Sequence, residues 1–209
     1  LSEPWSIKTK TGNYYKVFTP YWREAKKHIN TEPLPKPNSA LSYNEILESL
    51  DLDSLNLLPK NSNWGNKIKP YWTVGSEGAL NALSNFANGP IKNYEENRNR
   101  PDIDNGTSKL SPHLAFGEIS PRQIWHFFKY YLQMADKYLT EIGWREFSYV
   151  LLYNNPKLAD DNFKKKFNNF RWQKNNVLLD AWKTGNTGYP FVDAGMRQLW
   201  KTGWQHNRV

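Results

Sequence analysis

The 209 residues contain no cysteine. That excludes disulfides, thiolate zinc sites and cysteine-held iron–sulfur clusters, and it suits a reducing cytoplasm without demanding one. Long hydrophobic runs are missing too. No apolar stretch approaches the ~18 residues of a membrane-spanning helix, and no signal peptide heads the chain. No Ser/His/Asp or His-Glu-x-x-His arrangement accompanies His206, so that histidine reads as structural. There is no internal repeat, and no convincing strand pattern follows residue 30.

Positive charge is plentiful by contrast. Lys and Arg outnumber Asp and Glu by 28 to 20, a formal charge of +8. Such a balance favours an anionic partner, nucleic acid being the commonest, with plain solubility as the competing account. Ten Trp and 15% aromatic residues are a heavy load at a mean hydropathy of −0.82. Indoles can fill a core, stack on bases or carry electrons, and composition does not choose among these. Asn is abundant but dispersed, which is not the pattern of a Gln/Asn-rich tract.

Along the chain, residues 14–19 alternate enough to predict a short strand that Pro20 ends. Residues 31–75 are rich in Pro, Asn and Lys ("TEPLPKPNSA", "LLPKNSNWGNKIKPYW") and read as a linker with short helical turns such as Tyr43–Leu50. From Ser76 onward the pattern is helical. Ser76 is positioned to cap a helix carrying Leu80, Leu83 and Phe86, closed by Gly89. Ser120 and Gln123 form a capping box around Pro121, ahead of an apolar face of Ile124, Phe127, Phe128, Tyr131 and Leu132. A third helix is expected over Asp136–Tyr153, before Pro156. A fourth begins near Pro190, carries Phe191, Ala194, Leu199 and Trp200, and is followed by Gly203. The reading is a mostly α domain preceded by the tail of something else. Residue 1 is Leu and the last residues are "GWQHNRV", so the sequence reads as cut at both ends.

Three stretches carry chemistry. "GTSKLSPHLAFGEISPRQIW" (106–125) gathers Thr107, Ser108, Lys109 and Ser111 at a helix start. Hydroxyls, backbone N–H groups and a cation make a phosphate cradle, and a capped Ser-rich turn is the alternative. "YEENRNRP" adds Tyr94, Arg98 and Arg100 upstream, with a solvated turn as the competing account. In "EIGWREFSYVLLY" (141–153) Glu141, Trp144 and Arg145 share one helical face, which suits a ligand with a polar edge and a π face. The competing account is a mutual Glu141–Arg145 pair beside a core Trp. The C-terminal stretch distributes Trp172, Trp182, Trp200 and Trp204 regularly and ends in His206, Asn207 and Arg208. Lys164–Lys166 reads as a solvated run, with phosphate contact as the alternative.

Together, "YKVFTPYW", "GTSKLSPHLAFGEISPRQIW", "WREF" and "TGYPFVDAGMRQLWKTGWQHNR" resemble the DNA photolyase/cryptochrome family, most like class I cyclobutane pyrimidine dimer photolyases. The likeness is weakest in the linker. It implies that residues 1–30 are the end of an α/β antenna domain, 31–75 an interdomain linker, and 76–209 the first half of a helical FAD-binding domain. It implies FAD held by Tyr94, Thr107, Ser108, Lys109, Leu110, Ser111, Tyr138 and Arg145, with Tyr138 standing where an aromatic, usually Trp, is found. Glu141, Trp144 and Asn207 match residues that face a flipped-out dimer. Arg98 and Arg208 match DNA contacts, and Trp172 matches the surface end of a tryptophan electron-transfer chain. The implied activity is that of a carbon–carbon lyase repairing pyrimidine dimers in damaged DNA by electron transfer from excited reduced FAD. A folate or deazaflavin antenna chromophore is implied outside this chain, together with a monomeric state and no membrane. The chain alone is expected to bind FAD poorly and to be inactive. Because Glu141, Trp144 and Asn207 are kept, repair is favoured over a cryptochrome-like blue-light photoreceptor. A cofactor-free basic module that binds nucleic acid fits the composition but leaves the ordered motifs unexplained.

Overall fold

The computed structural model describes residues 1–29, 32–35, 48–57 and 63–209, and among them all extended regular structure is helical. The one β feature is an isolated antiparallel bridge between Lys8 and Tyr14, closed by a turn through Thr9 and Gly12. The strand expected over 14–19 is corrected: helix α1 runs Phe18–Ala25. Spacing is the reason. Phe18, Tyr21, Trp22 and Ala25 are buried, and i, i+3, i+4, i+7 is a helical stripe that outweighs a few alternating residues. Pro20 ends nothing. It takes the third helical position, where its missing N–H is one a helix leaves unused. Of the turn expected at Tyr43–Leu50, residues 43–47 lie outside the described residues and 48–50 carry no regular structure.

Helix α2 spans Trp64–Ile68 and α3 Gly75–Ala87. Ser76 does not cap α3: Val74 precedes the helix, no side chain caps it, and Ser76 is its second residue. Short helices α4 (Tyr94–Asn97) and α5 (Ser111–Ala115) follow. Helix α6, Pro121–Phe127, begins with the expected capping box: Gln123 N donates to Ser120 Oγ at 3.1 Å, and Ser120 N to Gln123 Oε1 at 2.8 Å. Its apolar face is only half realised, since Ile124 and Phe128 are buried while Phe127 and Tyr131 are exposed. A 3-10 turn at Lys129–Tyr131 then leads into α7, Leu132–Asn154, which starts four residues before the expected Asp136.

Helix α8, Asn176–Thr184, was not foreseen although both its ends are signposted. The Asn175 side chain accepts from Leu178 N at 3.0 Å, and Gly185 closes the helix in the left-handed region. Helix α9, Pro190–Thr202, starts where expected and is ended by Gly203 at φ +72°. Its large apolar residues Phe191, Leu199 and Trp200 are exposed, however, and the buried ones are Asp193, Gly195 and Met196. Asp193 clamps the preceding loop, accepting from Thr187 N (2.8 Å), Thr187 Oγ1 (2.6 Å) and Gly188 N (3.0 Å). Trp200 Nε1 donates to Lys183 O and Trp72 Nε1 to Thr202 O, each at 2.6 Å, which ties α9 to α8 and to the segment before α3.

One hydrophobic cluster joins residues 1–29 to α3–α7. At its centre α1 crosses α7. Trp22 lies on Gly143, where an added Cβ would stand 2.7 Å from the ring carbons Cδ2 and Cε3. Phe18 stacks on Trp144 with ring centroids 3.8 Å apart, and Tyr21 meets Phe147 at 5.2 Å. Among the described residues no helix is long and apolar enough to cross a membrane.

Gly143→Ala should therefore cost about 1–3 kcal/mol by overpacking, read as a lower urea midpoint at unchanged slope. An unchanged midpoint would mean that α1 and α7 do not press together at this point. Asp193 yields a pH prediction. The hydrogen bond from Thr187 holds its carboxyl below the usual value, with burial opposing. A depressed folded-state value makes its contribution complete above the unfolded carboxyl's value, about 4, and lost as pH falls through the folded one. Asp193→Asn should lower Tm at neutral pH and flatten its decline below about pH 5; parallel acid limbs for both proteins would contradict this.

Candidate functional site

Helix α7 sorts its residues into stripes. Ala135, Leu139, Phe147 and Val150 belong to the core. Tyr138 and Ile142 belong to the core as well, and with Glu141, Arg145 and Tyr149 they form a row at helical spacing that lines a cavity of about 500 Å³. At 1.5 Å rise per residue that row is about 16 Å long. The loop 107–110 and the first residue of α5, Ser111, line the same cavity. Helix α4 contributes Tyr94, with Arg98 just beyond its end, and residues Trp204–Asn207 after α9 close a further side.

The loop has an unusual backbone. Lys109 has φ +53°, one of two non-glycine residues with positive φ among those described. Leu110 follows at φ −82°, ψ −3°. A left-handed residue next to a right-handed one turns successive N–H groups toward one side, the concavity in which anions are held. Tyr138 OH donates to Ser108 Oγ at 3.1 Å, and Leu110 N–H reaches the same oxygen at 3.4 Å. Burial pushes the Tyr138 phenol well above its ordinary value, the Ser108 contact opposing. Burial likewise pushes Tyr94 up to about 12 against the pull of Arg98. Both phenols are neutral donors at any working pH.

The charges are paired in a way spacing did not dictate. Glu141 does not pair with Arg145. It accepts from Arg98 Nη1, and the Arg98 guanidinium also sits 5.9 Å from the Tyr94 ring centroid. Arg145 donates to Glu146 Oε1 at 2.9 Å and to Tyr149 OH at 3.3 Å, lying 4.9 Å over the Tyr149 ring. A second cavity of about 530 Å³ lies along the same loop, sharing Thr107, Ser108 and Lys109 and adding Trp72, Asn81, Asn85 and Asn105.

Of the residues expected at a cofactor, Tyr94, Thr107, Ser108, Lys109, Leu110, Ser111, Tyr138 and Arg145 all line the first cavity, together with Arg98, Glu141 and Asn207. Trp144 does not. Three residues from Glu141 it points about 60° around the helix, where Phe18 captures one face of its indole and 46% of it stays exposed. Arg208 lies off the cavity as well, donating from Nε to Asn99 Oδ1 at 3.1 Å. Trp172 is 80% exposed beside Phe170. Sequence reasoning missed Tyr149, Gln205 and the cavity-facing role of His206. The first had a signal, four residues beyond Arg145. His206 is buried, and its Nδ1 accepts from Arg208 N at 3.2 Å. Among the described residues no group of His, Cys, Asp and Glu could hold a metal ion. Hydroxyls, convergent amides, cations and aromatic walls suit an organic ligand that carries phosphates.

Residues 138–209 match the protein family described as the FAD binding domain of DNA photolyase. The deoxyribodipyrimidine photo-lyase of Agrobacterium fabrum is 41% identical over 215 residues, covering all of this chain and 45% of its own length. Cryptochrome-1 of Arabidopsis thaliana is 30% identical over all of this chain and 32% of its own length. A crystal structure of a bacterial class III photolyase from Agrobacterium tumefaciens superposes with a TM-score of 0.90 at 40% identity, over 99% of this chain and 44% of that one. The chain thus spans less than half the length of the relatives it matches.

The Arg98–Glu141 pair is partly buried, its side chains 14% and 28% exposed. A coupling of about 1–2 kcal/mol is expected, between surface and buried pairs. The double-mutant cycle of Arg98→Met and Glu141→Leu, followed by urea unfolding, measures it; strict additivity would mean that the two charges do not support each other.

Proposed function

This chain belongs to the DNA photolyase/cryptochrome family, and on that premise we propose that it forms one half of a flavin and DNA site in an enzyme that repairs cyclobutane pyrimidine dimers in light. The observation that carries the proposal is the first cavity, whose lining combines a loop with an anion-holding backbone and an acid–arginine pair. The donor set fits a dinucleotide. Thr107, Ser108 and Ser111 offer hydroxyls, the Lys109–Leu110 backbone offers convergent amides, and Lys109 offers a cation for the phosphates. When bound, FAD supplies the electron that light makes available.

The residues of this chain do the positioning. Tyr94 and Tyr138 wall the cofactor side as neutral phenols. Glu141, steadied by Arg98, offers a polar group to the edge of a damaged base, and Asn207 adds an amide on the facing segment. Trp144, off the cavity lining, keeps 46% of its surface exposed, ring area on which that base can stack. Arg98 and Arg208 hold DNA phosphates, which fixes register without reading sequence. Damaged bases leave the helical stack most readily, so extrusion favours the lesion over intact DNA.

The division at 1–30, 31–75 and 76–209 is kept as part of the proposal, with the first segment docked on α7 through Phe18, Tyr21 and Trp22. Glu141, Trp144 and Asn207 argue for cyclobutane dimer repair; the sequence motifs resemble class I, whereas the Agrobacterium structure is described as class III.

The test gives the full-length, reduced protein an oligonucleotide with one cyclobutane thymine dimer and compares blue light with darkness. Light-only restoration is expected. Absence of repair with reduced FAD bound would favour the photoreceptor reading, and absence of flavin from the full-length protein would favour the basic nucleic-acid module. Glu141→Ala should lower repair by about tenfold or more at unchanged flavin content, and Ser111→Ala should lower flavin retention instead. Equal flavin loss in both variants would make Glu141 a structural residue.

A further inference from the structure

Ser108 lies where the two cavities share a wall. A serine hydroxyl has two acceptor lone pairs and one proton. Both lone pairs are engaged, one by the Tyr138 hydroxyl at 3.1 Å and the other by Leu110 N–H at 3.4 Å. The proton is what remains, and among the described residues no hydrogen bond from Ser108 spends it. An unspent O–H donor on a cavity wall is complementary to an oxygen acceptor and to no cation.

Tyr138 has little freedom to do anything else. It is 4% exposed, with Phe86, Tyr94 and Phe128 around it at centroid distances of 4.7, 5.3 and 5.8 Å. Its phenol, kept protonated by burial, donates to Ser108.

We infer that Tyr138 is a positioning residue: by donating to Ser108 it commits the serine proton to the bound ligand, and so selects a ligand with a phosphate oxygen at that point of the wall. The inference rests on the flavin dinucleotide reading above and adds to it. On this account Tyr138 discriminates between flavins through a hydrogen bond that the flavin itself does not receive. Without the phenol, Ser108 regains a lone pair and can rotate, so its proton is no longer aimed. The ring contacts of residue 138 are a separate matter, since phenylalanine preserves them.

The experiment uses the full-length apoprotein, titrated with FAD and with riboflavin, which lacks phosphate. The proteins are wild type, Tyr138→Phe, Ser108→Ala and the double variant. Tyr138→Phe is expected to weaken FAD about 5- to 10-fold while leaving riboflavin affinity within about twofold, and the riboflavin arm doubles as the check on folding. The double variant should bind FAD no more weakly than Ser108→Ala alone, since both changes remove one and the same interaction. Unchanged FAD affinity in Tyr138→Phe overturns the inference alone, as does an equal loss of FAD and riboflavin, which would reveal a packing role. A wild-type apoprotein that binds neither flavin overturns the flavin reading and this inference with it.

Discussion

The seat of Trp22 on the bare backbone of Gly143 is the contact on which the rest of the structure depends. A glycine inside a 23-residue helix costs about 1 kcal/mol of helix stability relative to alanine. It is tolerated because the indole can then approach the helix axis closely enough to bury its whole face. With α1 locked there, Phe18 and Tyr21 fall onto Trp144 and Phe147, and the rotation of α7 about its own axis is fixed. That rotation decides which stripe meets the core and which meets the cavity. Tyr138, Glu141 and Arg145 are functional candidates because the opposite side of their helix is pinned.

Electrostatics act on this frame by pairing rather than by excess. The chain carries +8 overall, yet two arginines that line the cavity are already engaged by carboxylates, Arg98 by Glu141 and Arg145 by Glu146. Oriented dipoles, hydroxyl protons and the Lys109 ammonium are therefore what the site offers a cofactor phosphate. Preorganised donors lose little on binding because they need no rearrangement. The solvated lysines at 164–166 remain outside this economy, exposed on a surface turn.

Legibility in the sequence followed the range of the interaction. The capping box at Ser120 and the stop at Gly203 are written within four residues, so they were readable and stand where expected. Asn175 and Gly185 carry equally local signals, but the apolar residues between them, Val177, Leu178, Leu179 and Trp182, are exposed and form no buried stripe to draw attention. The misread strand near residue 14 shows the opposite case. There the deciding partner of Phe18 and Trp22 is α7, more than a hundred residues away. Choice of charge partner was equally invisible: spacing allowed Glu141 to take Arg145, and the tertiary approach of α4 gave it Arg98 instead. The cofactor-type residues of the 107–111 loop were legible as a set, because hydroxyls and a cation cluster along the chain itself. Trp144 was legible as a residue of interest but not in its placement.

The left-handed backbone of Lys109 bears on how this loop can be dissected. Lysine at φ +53° is held against a local preference of about 1–2 kcal/mol, and alanine there would be too. Replacing the lysine by alanine removes the ammonium and keeps the strain; replacing it by glycine removes both. The two variants therefore answer different questions, and their difference isolates what the loop stores in its main chain from what the ammonium contributes. A scan that uses alanine alone would credit the side chain with everything and leave the backbone uncounted.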